Sequence, residues 1–564
     1  MTSPLTRSPL FKSREIIAGS KSPPPLTTIN SNNSIELNAI DLTNKICHQI
    51  ELTKQQQLEF AEHTVNDLES TTITYTMSQL KSICHQCVPG WYRYSINRLE
   101  ISQLHGGMTN ALYVVWLINE HDDKITTAEE KQLLLDAHGL DSPRTYDRVV
   151  VRVFGNDTSI FFNRTLEQYV TKKLLITSQG PRVLSDFPNG RIERFISGRT
   201  LMCPHLHVPE LCSYISTALA RFHSESIDLS SVIDTDHVDT NDLSNTAFLT
   251  SPSNPLIFLN LRQWQQQAST ITADQLNYAL SDKTVADVQH EKLIRKQMYD
   301  YISVGSDEYV NEVNWLINKL QSLHSKIVFA HNDLQEGNII VDDQYLDQIQ
   351  IDKIVQYKPA RDIESPLQPN QYPYKSIKTN QSYPIFGPTW IADTLPLTNN
   401  TPRTDIPKTD VSDSIRDASN NPVHLIDFEY SGWNYRAHDL ANHFSEHYID
   451  YSYSHWPYFI IVPKLLPSKS HMKSFILTYL QGYNSYNNIS TPVSDSDVNE
   501  LLIETLWFML ASNLMWVPWG VIQAKQSSLN FGFMEYGCAR YQEYRRLKDI
   551  MTTDYNLIWA HHQS

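Results

Sequence analysis

Apolar and polar residues alternate along this chain in two distinct rhythms. From Asp41 to Cys87 apolar residues recur at mixed spacings of three and four, the period of a helix, and Pro89-Gly90 ends the run. Short alternating runs follow at Leu99 to Leu104, Ala111 to Leu117 and Arg148 to Phe154, and they predict strands of an antiparallel sheet. A helical run from Thr165 to Thr177 comes next, then two more short runs, Arg182 to Leu184 and Arg191 to Ile196, that could complete the sheet. Glu210 to Ser224 reads as a helix, about 227 to 260 as a loop-rich connection, and 261 to 324 as helices interrupted around Gly305. Apolar strands are predicted from Ile327 to Phe329, from Ile339 to Val341 and from Val423 to Ile426. The remainder is helical: Asp439 to Tyr448, Met472 to Tyr483, Val498 to Gln526 with a break near Pro518, and Phe531 to Lys548.

Two stretches carry no period. Residues 1–40 are rich in Ser, Pro, Thr and Asn, which predicts a disordered tail, with Ser3-Pro4, Ser8-Pro9 and Ser22-Pro23 as candidate phosphorylation sites. Residues 343–421 have the same composition and read as a long flexible insertion. The domain reading is then a helical segment over 41–97, a sheet-bearing lobe over 98–200, a helical lobe over 201–548 and a tail over 549–564.

Charge and cysteine usage narrow the class. The formal net charge is −16 and no long basic run exists, which argues against a nucleic-acid partner and against standing attachment to an anionic membrane. Six cysteines in 564 residues are no disulfide framework, and Cys84-His-Gln-Cys87 lacks the second ligand pair of a structural zinc site, so it reads as helix-borne thiols. Leu501 to Ile522 is the longest apolar region, but Glu504, Asn513 and Pro518 interrupt it, which favours a buried core helix over a stable membrane span. The N-terminus has no apolar signal core, and the expected compartment is the cytoplasm.

Chemistry concentrates in Phe329-Ala-His-Asn-Asp-Leu-Gln-Glu-Gly-Asn-Ile-Ile-Val341, a dense polar cluster gripped between two strands. Asp333 can take a proton from a hydroxyl, and Asn338 can offer a carbonyl oxygen to a hard cation. A second strand, Val423-His-Leu-Ile-Asp427, delivers another carboxylate. One Asp facing a hydroxyl, with an Asn and a later Asp on Mg²⁺ and nucleotide phosphates, is the arrangement of phosphoryl-transfer enzymes. His105-Gly-Gly-Met-Thr-Asn110 lies between two predicted strands, where glycines let backbone N–H groups approach phosphates; a plain hairpin would need the same residues. Arg152 in a buried strand needs a partner, for which Glu167 on the following helix is the candidate.

HNDLQEGN followed by IDFEYSGWNYRAHDLANHFSEHYIDY resembles the choline/ethanolamine kinase family, most closely its choline kinases. The N-H-F-x-E and W-x-x-W-x-x-x-Q-A-K motifs extend the resemblance over roughly residues 80–548, excluding the insertions. It implies an α+β, bilobal, protein-kinase-like fold with a small antiparallel-sheet N-lobe and a mostly helical C-lobe. It implies phosphorylation of choline by ATP, the first step of the CDP-choline route to phosphatidylcholine. Asp333 and Gln335 would be catalytic, and Asn338 and Asp427 would bind Mg²⁺, or Mn²⁺, which oxygen ligands suit equally. Gly106, Gly107, Thr109, Asn110, Arg152 and Glu167 would seat the nucleotide. Glu446, Tyr451, Trp516, Trp519, Phe531 and Tyr536 match the family's ammonium cage, although such an aromatic cluster is ordinarily core packing. Family members are often dimers, so a homodimer is among the implied partners. Two positions depart from the pattern: His438 stands where Phe is usual, and Ala441 where Gly is common. Ethanolamine is the nearest rival substrate, since Val153-Phe-Gly-Asn-Asp-Thr158 is similar to ethanolamine kinases. An aminoglycoside-type phosphotransferase shares H-x-D but not the W-x-x-W cage, and a non-catalytic ammonium- or nucleotide-binding module is the rival from another class.

Overall fold

The computed structural model describes residues 75–104, 110–118, 146–155, 161, 164–176, 180–225, 227, 254–276, 285–349, 421–453, 456–527 and 529–562. The expected tail, most of the run from Asp41, the glycine turn at 105–109 and residues 350–420 of the expected insertion lie outside them. The chain divides into two compact units, one of residues 14–156 and 181–196, the other of 1–13, 157–180 and 197–564.

The smaller unit opens with helix α1 (Met77–Cys87). Thr76 caps it: its hydroxyl accepts from Gln79 N, and the Gln79 side chain accepts in return from Thr76 N. Cys84 and Cys87 both sit on this helix. Five strands follow: β1 (Leu99–Leu104), β2 (Asn110–Leu117), β3 (Arg148–Phe154), β4 (Val183–Phe187) and β5 (Gly190–Arg194). They form one antiparallel sheet in the order β1-β2-β3-β5-β4. Val149, Val151 and Val153 of β3 pack with Leu80, Cys84 and Trp91, while Val150 packs on the other face with Leu112 and Phe195. A strand buried on both faces needs apolar residues at consecutive positions, which is why β3 carries Val149, Val150 and Val151 in succession. The β4 strand reaches Phe187, beyond the Leu184 expected, because Asp186 and Phe187 pair with Arg191 and Gly190 across a tight turn.

The larger unit is mostly helical. Its first elements are α2 (Arg164–Ile176), β6 (Gly198–Thr200), α3 (Pro209–Phe222), α4 (Leu256–Ser269), α5 (Val285–Ile302) and α6 (Asp307–Gln321). The α4 helix begins inside the stretch expected to be loop: Leu256, Ile257 and Phe258 are buried, and tertiary contact rather than local pattern holds that first turn. Then come β7 (Ile327–Ala330), β8 (Ile339–Asp342), the short α7 (Asp343–Gln348), β9 (Val423–Leu425) and β10 (Gly432–Tyr435). The expected insertion thus starts as a helical turn, anchored by buried Leu346. β7 pairs with β10, and β8 lies between β6 and β9. The chain ends in α8 (Arg436–Glu446), β11 (Ile449–Asp450), β12 (Ile460–Ile461), α9 (Lys469–Tyr486), α10 (Asp495–Gln526) and α11 (Phe533–Thr553). One unit with an antiparallel sheet and one mostly helical unit make up the α+β organisation expected.

The α10 helix is long and apolar enough to cross a membrane, yet 89% of its apolar window is buried inside the molecule, as expected of a core helix. The break expected at Pro518 is absent; the helix runs through it. Proline removes the N–H that would bond the carbonyl four residues earlier. That carbonyl, Leu514 O, instead accepts from the Tyr309 hydroxyl of α6 at 3.3 Å. A tertiary bond therefore satisfies the group that proline orphans.

Helices α10 and α11 meet at Gly520 and Gly537. A Cβ on Gly520 would stand 2.7 Å from Phe533 O and 3.1 Å from Gly537 N, both backbone atoms that cannot rotate away. Gly520→Ala is therefore expected to lower stability by about 1–3 kcal/mol, the usual cost of overpacking. A urea midpoint equal to that of the wild type would disprove this account of the close approach.

Candidate active site

The loop 331–338 hangs between β7 and β8, and Asp427 follows β9 two residues on. Pairing of β8 with β9 brings the two carboxylate-bearing segments side by side, with Ile426 N donating to Asn338 O at 3.0 Å. Asp333 Oδ2 and Asp333 O both accept from Asn338 Nδ2, at 3.0 and 2.9 Å. Gln335 N donates to Asp333 O at 3.0 Å, so the turn closes on itself around the Asp. Two residues hold left-handed backbone, Asn332 at φ 66° and Asp427 at φ 69°. Asn and Asp tolerate that region best among residues with side chains.

A carboxylate outside the loop fixes it. Asp439, fully buried on α8, accepts from His331 N (2.6 Å) and Asn332 N (2.6 Å), and also from His223 Nε2–H of the segment after α3 (2.9 Å). Burial raises the Asp439 carboxyl, but the bond and charge of His223, with His331 and His438 beside it, hold it below its ordinary value. His331 donates through Nε2 to Ile426 O at 3.0 Å, and burial pushes it down, so it serves as a neutral strut. Asn332 donates to Tyr430 O at 2.9 Å and accepts from Asn434 at 2.7 Å.

Asp333 keeps part of its surface open, yet its carboxyl sits deep among protein atoms. That desolvation, followed by the negative charges of Glu446 and Asp427, pushes it up to about 8. So much negative charge around one turn, with only oxygen donors on Asn338 and Asp427, fits a hard divalent cation such as Mg²⁺ or Mn²⁺. The Asn338 amide nitrogen faces Asp333, leaving the oxygen end for that purpose.

The aromatic residues converge in the same unit. Trp516 and Trp519 meet edge to face at 5.3 Å, as do Trp519 and Tyr536 at 5.9 Å, while Phe531 and Tyr536 lie tilted at 5.9 Å. Tyr451 donates to Glu446 Oε2 at 2.9 Å and its hydroxyl lies 3.2 Å from that of Tyr536. Trp519 Nε1 donates to the Tyr430 hydroxyl at 3.1 Å, and Trp516 Nε1 to Asn442 Oδ1 at 3.0 Å. Tyr430 thus touches both the loop 331–338 and the aromatic cluster. The structure brings Asp333, Gln335, Asn338, Asp427, Glu446, Tyr451, Trp516, Trp519, Phe531 and Tyr536 into one unit.

In the smaller unit Asn110 opens β2, opposite Phe154, and is buried. Arg152 bonds Glu193 across β3 and β5 at 3.3 Å, and Arg191 shares the same carboxylate oxygen at 2.5 Å. Glu193 therefore supplies a carboxylate that the spacing along the chain did not single out. Glu167, the candidate first named, is buried on α2 in the other unit. Gly106, Gly107 and Thr109 lie outside the described residues.

The sequence profile of choline/ethanolamine kinases matches residues 101–545. The chain belongs to the choline/ethanolamine kinase family. Membership makes it a kinase, with ATP as the phosphoryl donor. It is 23% identical over 457 residues to a probable choline kinase 1 of Arabidopsis thaliana, covering 81% of this chain and 89% of that protein. It is 22% identical over 506 residues to a probable ethanolamine kinase of the same plant, covering 90% of this chain and 93% of that protein. Among solved structures, a choline kinase from Cryptosporidium parvum is similar, with 21% identity and a TM-score of 0.49, covering 86% of this chain and 99% of that one.

Three groups escaped the sequence reading of this kinase. Asp439 appeared only as a motif flank. His223 lies more than two hundred residues from Asp439 and had no local signal. Arg540, fully buried, donates to Glu446 Oε1 (2.5 Å), Tyr536 Oη (2.9 Å from Nε) and Asn513 Oδ1 (3.2 Å). The one clue to Arg540 is its spacing: four residues after Tyr536, it lies on the same helix face.

His438, in the position where Phe is usual, is fully buried against Phe508, and neither ring nitrogen has a hydrogen-bond partner. Burial pushes it down to about 4. In the unfolded chain it titrates near 6.5, so acid favours unfolding: the contribution is intact above that value and is lost as pH falls toward 4. His438→Phe is expected to raise stability by about 1–3 kcal/mol, by removing two unsatisfied nitrogens. It should also reduce the slope of stability on pH in that window by about 1.4 kcal/mol per pH unit. Urea denaturation at pH 7.5 and pH 5 checks both; equal losses in the two proteins on acidification would refute the buried neutral imidazole. Asp439→Asn puts an amide where two backbone N–H groups need an acceptor. It is expected to cost about 3–5 kcal/mol, as removal of one partner from a buried ionic cluster does, and thermal melting measures it.

Proposed function

We propose that this kinase transfers the γ-phosphoryl group of ATP to the hydroxyl of choline. The state of Glu446 carries the reading. Its Oε1 already accepts from Arg540 and its Oε2 from Tyr451, so both oxygens have donors. A primary ammonium brings three N–H donors that need acceptors, whereas a quaternary ammonium brings none. Trp516, Trp519, Phe531, Tyr451 and Tyr536 supply aromatic rings, whose faces hold a quaternary ammonium without accepting a hydrogen bond from it.

The residues divide the work as follows. Asp333 orients the choline hydroxyl and accepts its proton as the oxygen attacks phosphorus; its carboxylate must be ionised to do so. Asn338 holds Asp333 through its amide nitrogen and, with Asp427, offers oxygens to a divalent cation. When bound, that cation neutralises charge on the nucleotide phosphates and lowers the cost of ionising Asp333. Gln335 closes the turn beside Asp333. Arg152, Glu167, Asn110 and the glycines Gly106 and Gly107 with Thr109 are assigned to the nucleotide. The sheet-bearing residues 98–200 would serve as the nucleotide lobe, residues 201–548 as the catalytic lobe, and the cytoplasm as the site of action.

Ethanolamine is the second reading, favoured by the resemblance to an ethanolamine kinase. Release of ADP by the purified protein with Mg-ATP, measured with choline, ethanolamine or no acceptor, separates them. The expected result is faster turnover on choline, with Trp516→Ala raising the KM for choline about 2- to 30-fold through the lost cation–π attraction. Asp333→Ala is expected to lower kcat by on the order of 10²- to 10⁴-fold while the protein stays folded. Faster turnover on ethanolamine would replace the choline assignment, and release without dependence on either acceptor would overturn the function.

A further inference from the structure

Behind the catalytic loop, away from the carboxylates that serve phosphoryl transfer, three helices bring together a cysteine and several histidines with no part in that chemistry. Cys212 stands in the first turn of α3, His471 in the first turn of α9, and His447 immediately after α8. One ligand atom from each of the three lies within 4.8 Å of the others. Cys212 Sγ and His471 Nε2 are 3.3 Å apart. A tetrahedral zinc with ordinary Zn–S and Zn–N bonds sets those two atoms about 3.5 Å apart.

His447 points most directly to a metal. It is fully buried, and its Nδ1–H donates to His443 O at 2.9 Å. That bond fixes the tautomer and leaves Nε2 with a lone pair, and Nε2 has no hydrogen-bond partner. An imidazole that donates one N–H to a backbone carbonyl and presents the other nitrogen bare is how metal-bound histidines are held. A bare nitrogen inside protein is otherwise a cost with nothing to offset it.

The surroundings agree. His443 and His207 press their rings on His447 at 4.7 and 5.0 Å, edge to face. Burial, and then the neighbouring imidazoles, push His447 well down and His471 down to about 3. Neutral imidazole is the form that binds a metal. The Cys212 thiol, raised by burial, donates to Leu206 O at 2.9 Å. Binding therefore breaks that S–H bond, forms a metal–sulfur bond and releases one proton to solvent.

We propose that Cys212, His447 and His471 form a zinc site with a fourth, exchangeable position. Two imidazoles and one thiolate select a borderline-soft ion such as Zn²⁺ over the hard cations suited to Asn338 and Asp427. The site ties α3, α8 and α9 together. It also backs the catalytic loop, because His443, which accepts from His447, donates through Nδ1 to Leu334 O at 3.2 Å.

The test uses the full-length protein, stripped with a chelator and then given Co²⁺ or Zn²⁺ alone. Cobalt is expected to give tetrahedral d–d bands together with a thiolate-to-cobalt charge-transfer band. Cobalt at the all-oxygen site of Asn338 and Asp427 cannot produce the second band. Zinc is expected to remain at one equivalent per chain after gel filtration, and to raise the melting temperature. Cys212→Ser should abolish the charge-transfer band, and His471→Gln should lower retained zinc at least tenfold. Acceptor-dependent ADP release by both variants controls for folding, since neither residue belongs to the catalytic machinery. Absence of the charge-transfer band in the wild-type protein, which needs no variant to fold, would overturn the proposal. So would an unchanged band in Cys212→Ser.

Discussion

The rest of the site depends on the carboxylate of Asp439. The loop after β7 leaves the sheet, so the N–H groups of His331 and Asn332 lose their ladder partners inside the protein. Buried N–H groups left bare would make this conformation costly. Asp439 takes one on each oxygen, and His223 shares Oδ2 with the first of them, countering the charge that burial isolates. With those two amides fixed, Asn332 can hold its left-handed backbone and reach Tyr430 and Asn434. Asp333 is then presented from a turn whose preceding residues, His331 and Asn332, are tied down.

Tyr430 carries this order into the aromatic cluster. Its carbonyl accepts from Asn332 of the loop 331–338 and its hydroxyl accepts from Trp519. Asn442, one helical turn after Asp439, accepts from Trp516 and from Ser512. The two tryptophans are thus oriented by polar bonds, not by packing alone. Helices α10 and α11 can bring Trp519 against Tyr536 because Gly520 lets their backbones touch. Arg540 completes the arrangement by neutralising Glu446 from behind, so that a carboxylate can remain buried among rings.

Buried histidine is the other recurring feature of the helical unit. His331 works as a neutral donor. His438 makes no hydrogen bond, and fills the place of a phenyl ring at the cost of two unsatisfied nitrogens. His447 has the same bare nitrogen, but beside a cysteine and a second imidazole. The distinction between a cost and a site lies in what surrounds the nitrogen, not in its burial.

Local pattern determined a good deal. The strands Leu99–Leu104 and Arg148–Phe154 lie where short apolar-rich runs placed them, because a strand's side chains point to alternate faces and its packed faces must be apolar. The polar loop that carries Asp333 and Asn338, and the strand that leads to Asp427, were legible because apolar strands must end before a polar loop, and such punctuation is written in consecutive residues. Tertiary structure decided what no window of sequence contains. Pro518 does not break its helix, since Tyr309, from a different helix, satisfies Leu514 O. Arg152 finds Glu193 because strand register sets it beside that carboxylate. His223 and Arg540 act on groups 216 and 94 residues away, and the zinc ligands Cys212 and His471 are separated by 259. Hydrogen bonds and metal bonds are short-range, so partners distant along the chain become partners only when the fold closes the distance.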